Sequence, residues 1–169
     1  SVVDQNDGKE LESRPPTVAD LVKLCAALNE QGARYLVIGG MAMIQAGFVR
    51  ATEDIDILIE MSKDNQTRVR KALMALPDQA VRELGDDDLD RYTVVRVADE
   101  FVVDVMGRAC GIDYASAVDE RETVVLEGIP IPLASPELLW KLKQTGREKD
   151  ELDRMFLKEK LKRKDTGAG

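Results

Sequence analysis

Asp54 and Asp56 are the residues of this chain best suited to hold a hard cation. They lie in Asp54-Ile55-Asp56-Ile57-Leu58-Ile59-Glu60, where alternation predicts a strand. A strand sends both carboxylates to one face and Ile55, Ile57 and Ile59 to the other. At ~4–6 Å and an effective dielectric near 20, their repulsion is about 3–4 kcal/mol before screening. A cation offsets that cost. Mg2+ is the natural candidate, since it prefers oxygen ligands and is often held by one or two carboxylates plus substrate phosphates. Upstream, Val37-Ile38-Gly39-Gly40 ends a strand in two glycines, and thirteen residues separate Gly40 from Asp54. A strand that turns at once into a helix leaves backbone N–H groups free at the positive end of the dipole. That is an anion cradle, opened further by the missing side chains. Asp104, in Phe101-Val102-Val103-Asp104-Val105, is a charge in an apolar run and would be costly if buried alone. Beside Asp54 and Asp56 it would complete a ligand set for two ions. Together these features describe a metal-nucleotide site.

Each residue also has a purely structural explanation. Asp54 and Asp56 could line a solvent-facing strand, and Asp104 could be a hydrogen-bonded buried acid. Gly39-Gly40 could serve a tight turn or close helix–strand packing. No third glycine follows at the spacing of a dinucleotide fingerprint.

The elements that must position these residues form an α/β layout. A polar arm over 1–16 precedes a helix that opens at Thr17-Val18-Ala19-Asp20, which resembles a capping box, and stops at Gly32. A strand over 35–38 runs into a helix over 41–46. The strand of Asp54 and Asp56 is followed by a helix from 62 or 63 to 76, stopped by Pro77. Residues 78–90, with Asp86-Asp87-Asp88, read as irregular. Strands over 91–97 and 101–106 form an antiparallel hairpin around Ala98-Asp99-Glu100. A short helix covers 113–118. Strands over 122–126 and 129–133 follow, the second pushed to a sheet edge by Pro130 and Pro132. Ser135-Pro136-Glu137 starts a helix that reaches about Thr145, and another runs from about Arg147 through the basic run 158–164. Leu138, Leu139, Leu142, Leu152, Met155 and Phe156 are the expected core of this pair. The expected organisation is an arm over 1–16, one domain over 17–164 and a frayed tail over 165–169.

The Gly-Gly, Asp-x-Asp and later strand carboxylate resemble the nucleotidyltransferase superfamily with the DNA polymerase β-like fold. More closely, Arg50-Ala51-Thr52-Glu53-Asp54-Ile55-Asp56-Ile57, and Lys143-Gln144-Thr145-Gly146-Arg147-Glu148-Lys149-Asp150 followed by Asp153, look like the minimal nucleotidyltransferases. Those are related to abortive-infection and type IV toxin–antitoxin proteins. The resemblance spans roughly residues 17–160. It implies a small mixed β-sheet flanked by helices, and transfer of an NMP group from an NTP to an acceptor with pyrophosphate leaving. It implies that Asp54 and Asp56 hold two Mg2+ ions, with Mn2+ as a substitute. Asp104 would complete the catalytic ion and help deprotonate the acceptor hydroxyl. It implies that Gly39 and Gly40 cradle phosphates and that Arg50 and Lys143 neutralise the triphosphate, with Thr52 nearby. Lys141 replaces Lys143 if the helix register is shifted. Arg50 could instead pair with Glu53, Thr52 could simply start the strand, and Arg147, Asp150 and Asp153 could form intrahelical ion pairs. Many relatives have Gly-Ser where this chain has Gly39-Gly40, so a serine contact to phosphate is absent. No module for recognising the acceptor is evident, so tRNA, a protein and a small molecule all remain open, as does a cognate toxin or antitoxin partner.

Composition limits the alternatives. The chain has 169 residues and no histidine, which removes Ser-His-Asp triads, Cys-His nucleophiles and His-containing zinc sites. Cys25 and Cys110 read as reduced, buried thiols of a cytoplasmic protein. A net charge of −8 argues against broad duplex-DNA binding. No apolar stretch approaches the ~20 residues that span a bilayer. Ser1 in place of Met reads as a processed terminus. Two further functions fit the same residues: a catalytically silent nucleotidyltransferase-like binding module, and a two-metal phosphohydrolase.

Overall fold

Thr17 and Asp20 form a reciprocal capping box, so the first helix, α1 (Val18–Glu30), starts where the sequence predicts. The computed structural model describes residues 12–167. Strand β1 (Tyr35–Ile38) passes directly into α2 (Gly39–Gln45). After β2 (Asp54–Ile59), Ser62 caps α3 (Lys63–Leu73) by accepting from the Asn65 N–H. The predicted helix reached residue 76; the observed one ends three residues earlier. Pro77 disfavours helical backbone before it, which draws the stop upstream. The predicted irregular stretch holds a 3-10 turn at Ala80–Glu83 and a single helical turn, α4 (Asp88–Arg91). The buried Asp99 carboxylate organises it by accepting from the backbone N–H groups of Asp78, Ala80 and Glu100. The hairpin consists of β3 (Val94–Ala98) and β4 (Val102–Met106), with its loop one residue later than expected. Two short strands, β5 (Arg108–Ala109) and β6 (Ile112–Asp113), lead into α5 (Tyr114–Ala117). Then come β7 (Arg121–Leu126), β8 (Ile129–Ala134), α6 (Pro136–Leu142) and α7 (Glu151–Asp165).

The main sheet has the order β3-β4-β2-β1-β8-β7. It is mixed: β2 runs parallel to β4 and β1 parallel to β8, and the other pairs are antiparallel. Ile55, Ile57, Val103 and Val105 are fully or almost fully buried on one face, which α1 and α3 cover. Tyr35 of β1 ties that layer together by donating its hydroxyl to Asn29 of α1. The opposite face carries Asp54, Asp56 and Asp104 and packs in part against α2 and α6.

Strand β8 corrects the expectation that its prolines would place it at an edge. It lies between β1 and β7, and β7 is the edge. The two-residue turn Glu127-Gly128 has positive φ at both positions, as a tight hairpin turn requires. Leu126 and Ile129 flank it, so Val125·Pro130 and Thr123·Pro132 fall at the pairs that exchange no hydrogen bonds. The missing N–H groups therefore face β1. There the ladder has one register pair, Val37 with Leu133, and the Pro130 carbonyl accepts from Asn29 instead.

The C-terminal pair also differs from expectation. Helix α6 stops at Leu142, a 3-10 turn occupies Glu148–Asp150, and α7 starts at Glu151. With that phase Asp153 and Leu157 face inward, while Leu152 and Met155 are exposed rather than core. Phe156 is half-buried and stacks on Phe48. Cys25 is buried as expected, but Cys110 lies exposed in the β5–β6 turn. Within the expected arm, residues 1–11 lie outside the described residues. Arg14 bonds Asp20 and Glu100, and Ser13 donates to the Asp99 carbonyl. No described helix is long and apolar enough to cross a membrane.

Candidate functional site

The parallel register of β2 and β4 sets Asp56 directly beside Asp104. Alternation keeps Asp54 on the same face. The three carboxylates converge, with one oxygen from each within 4.8 Å of the others. Asp104 is buried and the other two are half-buried. Burial pushes the Asp56 carboxyl well above the usual carboxylate range. The charge of Asp54, a hydrogen bond with it, and the charge of Asp104 add to that push, while Lys143 pulls the other way. Excess negative charge at an oxygen-only donor set fits a hard divalent cation.

Gly39 and Gly40 lie against this cluster. Gly39 has φ +69°, and a Cβ there would overlap Oδ2 of Asp56. A Cβ on Gly40 would overlap the Thr52 side chain and come within 3.6 Å of Arg50 Nη2. The sequence assigned the vacant Cβ positions to an approaching phosphate; the Asp56 and Thr52 side chains fill them. Thr52 is buried, and its hydroxyl donates to the Asp54 carbonyl at 3.0 Å. The glycines, Thr52, Arg50 and the carboxylates are therefore neighbours, as the sequence expected of a common site.

Arg50 does not pair with Glu53. Its Nη1 donates to both oxygens of the buried Asp153, at 2.8 and 2.6 Å. Lys143 is buried between α6 and α7, with its Nζ 3.0 Å from Asp153 and 3.3 Å from Asp150. Lys141 pairs with Glu120 instead, which leaves Lys143 as the lysine at the cluster. Asp150 also accepts from the Thr145 hydroxyl and Arg147. Against the burial that would raise it, those partners and Lys143 hold its carboxyl below the usual range. Only Arg147–Asp150 is the ion pair at spacing three that the sequence suggested. Asp153 instead joins three distant chain segments.

One residue at the site was missed. Arg96 of β3 lies opposite Asp104 and donates from Nε and Nη2 to its two oxygens, at 2.9 and 3.0 Å. Its Nη2 also lies 3.4 Å from Oδ2 of Asp54. The signal was a lone basic residue alternating with valines in Val94-Val95-Arg96-Val97.

No protein-family model matches the chain, and no curated protein matches it in sequence. Among solved structures it is similar to a "putative nucleotidyltransferase" from Thermotoga maritima, with a TM-score of 0.53 and 20% sequence identity. The match covers 84% of this chain and 92% of that one. The fold is nucleotidyltransferase-like. Identity this low speaks to the fold and leaves the chemistry to the residues.

Proposed function

We propose that the chain is a metal-dependent nucleotidyltransferase, moving an NMP group from an NTP to a hydroxyl acceptor with release of pyrophosphate. The observation that carries this reading is the convergence of Asp54, Asp56 and Asp104 from two adjacent strands. Asp54 and Asp56 would hold two Mg2+ ions, or Mn2+, and Asp104 would complete the set. Bound there, the metal would neutralise phosphate charge and polarise the reacting phosphoryl group.

The chain's own groups have distinct tasks. Lys143 and Arg50, fixed by Asp150 and Asp153, present positive charge to the triphosphate. The backbone at Gly39-Gly40, beside Thr52 and the carboxylates, borders the same phosphates. Asp104 takes the proton of the acceptor hydroxyl as its oxygen bonds the α-phosphorus and the bond to pyrophosphate breaks. The nucleotide base and the acceptor, whether tRNA, protein or small molecule, are open in this proposal, as is a cognate toxin or antitoxin partner. Two unbridged cysteines suit a reducing cytoplasm.

A second reading is a binding module without turnover, acting as an antitoxin or regulatory partner. It is favoured by the Arg96 guanidinium, which engages both oxygens of Asp104. One experiment separates the two: binding of ATP, GTP, CTP and UTP by calorimetry with and without Mg2+, paired with pyrophosphate release. Metal-dependent binding that is lost in Asp54→Ala/Asp56→Ala, with pyrophosphate produced, supports the enzyme. Binding without turnover supports the module. Absence of any metal-dependent nucleotide binding overturns the enzyme reading.

A further inference from the structure

Arg96 is the exposed cation of an otherwise inward-facing cluster. Its side chain is 61% exposed, whereas that of its partner Asp104 is 9% exposed. It stands on β3, the edge of the sheet, between exposed Val94 and the small Ala98 on the same face. Lys143 has no comparable freedom, because it is buried and held by two carboxylates. The Arg96 fork uses both oxygens of Asp104, and its outer nitrogen reaches toward Asp54. Asp104 and Asp54 are two of the three carboxylates that converge as a candidate cation site.

We propose that Arg96 is a gate on the cation site: it caps the carboxylates while they are cation-free, and a divalent ion must displace it to ligate Asp104. This rests on the metal-dependent reading above. A two-pronged guanidinium–carboxylate pair occupies one lone-pair direction on each carboxylate oxygen and offsets its charge. A hard divalent ion held by Asp54, Asp56 and Asp104 would draw on the same carboxylate charge, and its own charge would repel the guanidinium. The two cations therefore compete for Asp104. The exposed, long side chain can swing into solvent from an edge strand without disturbing the core. Arg96 therefore lowers the cation affinity of the resting chain and sets the concentration at which the site loads.

The test is Mn2+ binding to the wild-type chain, Arg96→Gln, Arg96→Lys and Asp54→Asn/Asp56→Asn, by titration calorimetry and by loss of the free-ion electron paramagnetic resonance signal. Neither readout depends on turnover. Arg96→Gln is expected to bind Mn2+ roughly tenfold or more tightly than wild type, since a charge-assisted pair on a buried carboxylate is removed. Arg96→Lys keeps the charge but loses the fork, and should fall between. If Arg96→Gln does not fold, the tighter binding of Arg96→Lys over wild type decides the matter. Wild-type or weaker affinity in the folded Arg96 variants, with wild-type binding intact, overturns the gate and leaves the metal centre standing. Failure of wild type and Arg96 variants alike to bind Mn2+ better than Asp54→Asn/Asp56→Asn overturns the metal centre, and the gate with it.

Discussion

Asp56 carries the sharpest electrostatic consequence of the site. Its carboxyl is raised to about 8 by burial, by Asp54 and by Asp104. In the unfolded chain it titrates near 3.9. The folded state therefore binds this proton more tightly, and the stability it contributes is present below the unfolded value and lost as pH rises through the folded one. Asp20 and Asp150, held low by their partners, act in the opposite sense and at more acid pH. Between pH 5 and 9, without divalent metal, the melting temperature should fall by several degrees, at roughly 2–4 °C per kcal/mol for a chain of this size. Asp56→Asn should flatten that slope in a thermal melt followed across the range. Gly39 is the second sensitive position. Gly39→Ala forces a Cβ into left-handed backbone, costing about 1–2 kcal/mol, and drives it into the Asp56 carboxylate. Calorimetry should show Mn2+ affinity falling at least tenfold while the circular dichroism spectrum is kept.

At the scale of elements, the junction between α6 and α7 carries buried ion pairs beside its buried leucines. Asp153 binds Arg50 from the loop before β2 and Lys143 from the end of α6. Asp153→Asn leaves a buried lysine short of a partner, and should cost about 3 kcal/mol in denaturant unfolding. Arg50→Ala should cost less, about 1 kcal/mol, because Arg50 is partly solvated. Should Asp153→Asn unfold with wild-type stability, the ion pairs add nothing to the junction beyond its leucines. The β3–β4 hairpin shows how sharply a loop sets chemistry. Its turn spans Asp99–Phe101, which pairs Arg96 with Asp104. The expected turn, one residue earlier, pairs Asp104 with Val94 instead, because one step in the loop moves the partner by two. Arg96 was legible as a lone basic residue, but not as a partner of the site.

Over the whole molecule, one sheet face is sealed by helices and the other carries the carboxylates. A cation that binds only the folded arrangement stabilises it by mass action, by about 2.7 kcal/mol at a hundredfold excess over its dissociation constant. Saturating Mn2+ should therefore raise the melting temperature by roughly 5–10 °C, and by nothing measurable in Asp54→Asn/Asp56→Asn. The surface is acidic, with a net charge of −8. Duplex DNA should not retain the chain at ~0.15 M salt, since phosphate binding requires clustered Lys and Arg. Retention in a filter-binding assay would mean that the basic run of α7 outweighs the net charge.

The sequence by itself determined the α/β class, most elements and the identity of the three carboxylates. Periodicity, caps and glycine breaks are local, and a charge inside an apolar strand stands out without knowledge of its neighbours. It also named Arg50 and Lys143, though not what they touch. Tertiary structure decided what depends on register and phase. Strand β8 became internal because its prolines leave the ladder with β7 intact, while its sparse ladder with β1 rests on the Val37–Leu133 pair. Leu152 and Met155 turned outward because α7 turns the face of Asp153 and Leu157 inward, where Asp153 pairs with Arg50 and Lys143. The parallel pairing of β2 with β4, set by a long crossover, brought Asp104 to Asp56. The pairing of β3 with β4 brought Arg96 to both Asp104 and Asp54. Such contacts join residues far apart in the chain, and only closing the loops between them fixes which side chains meet.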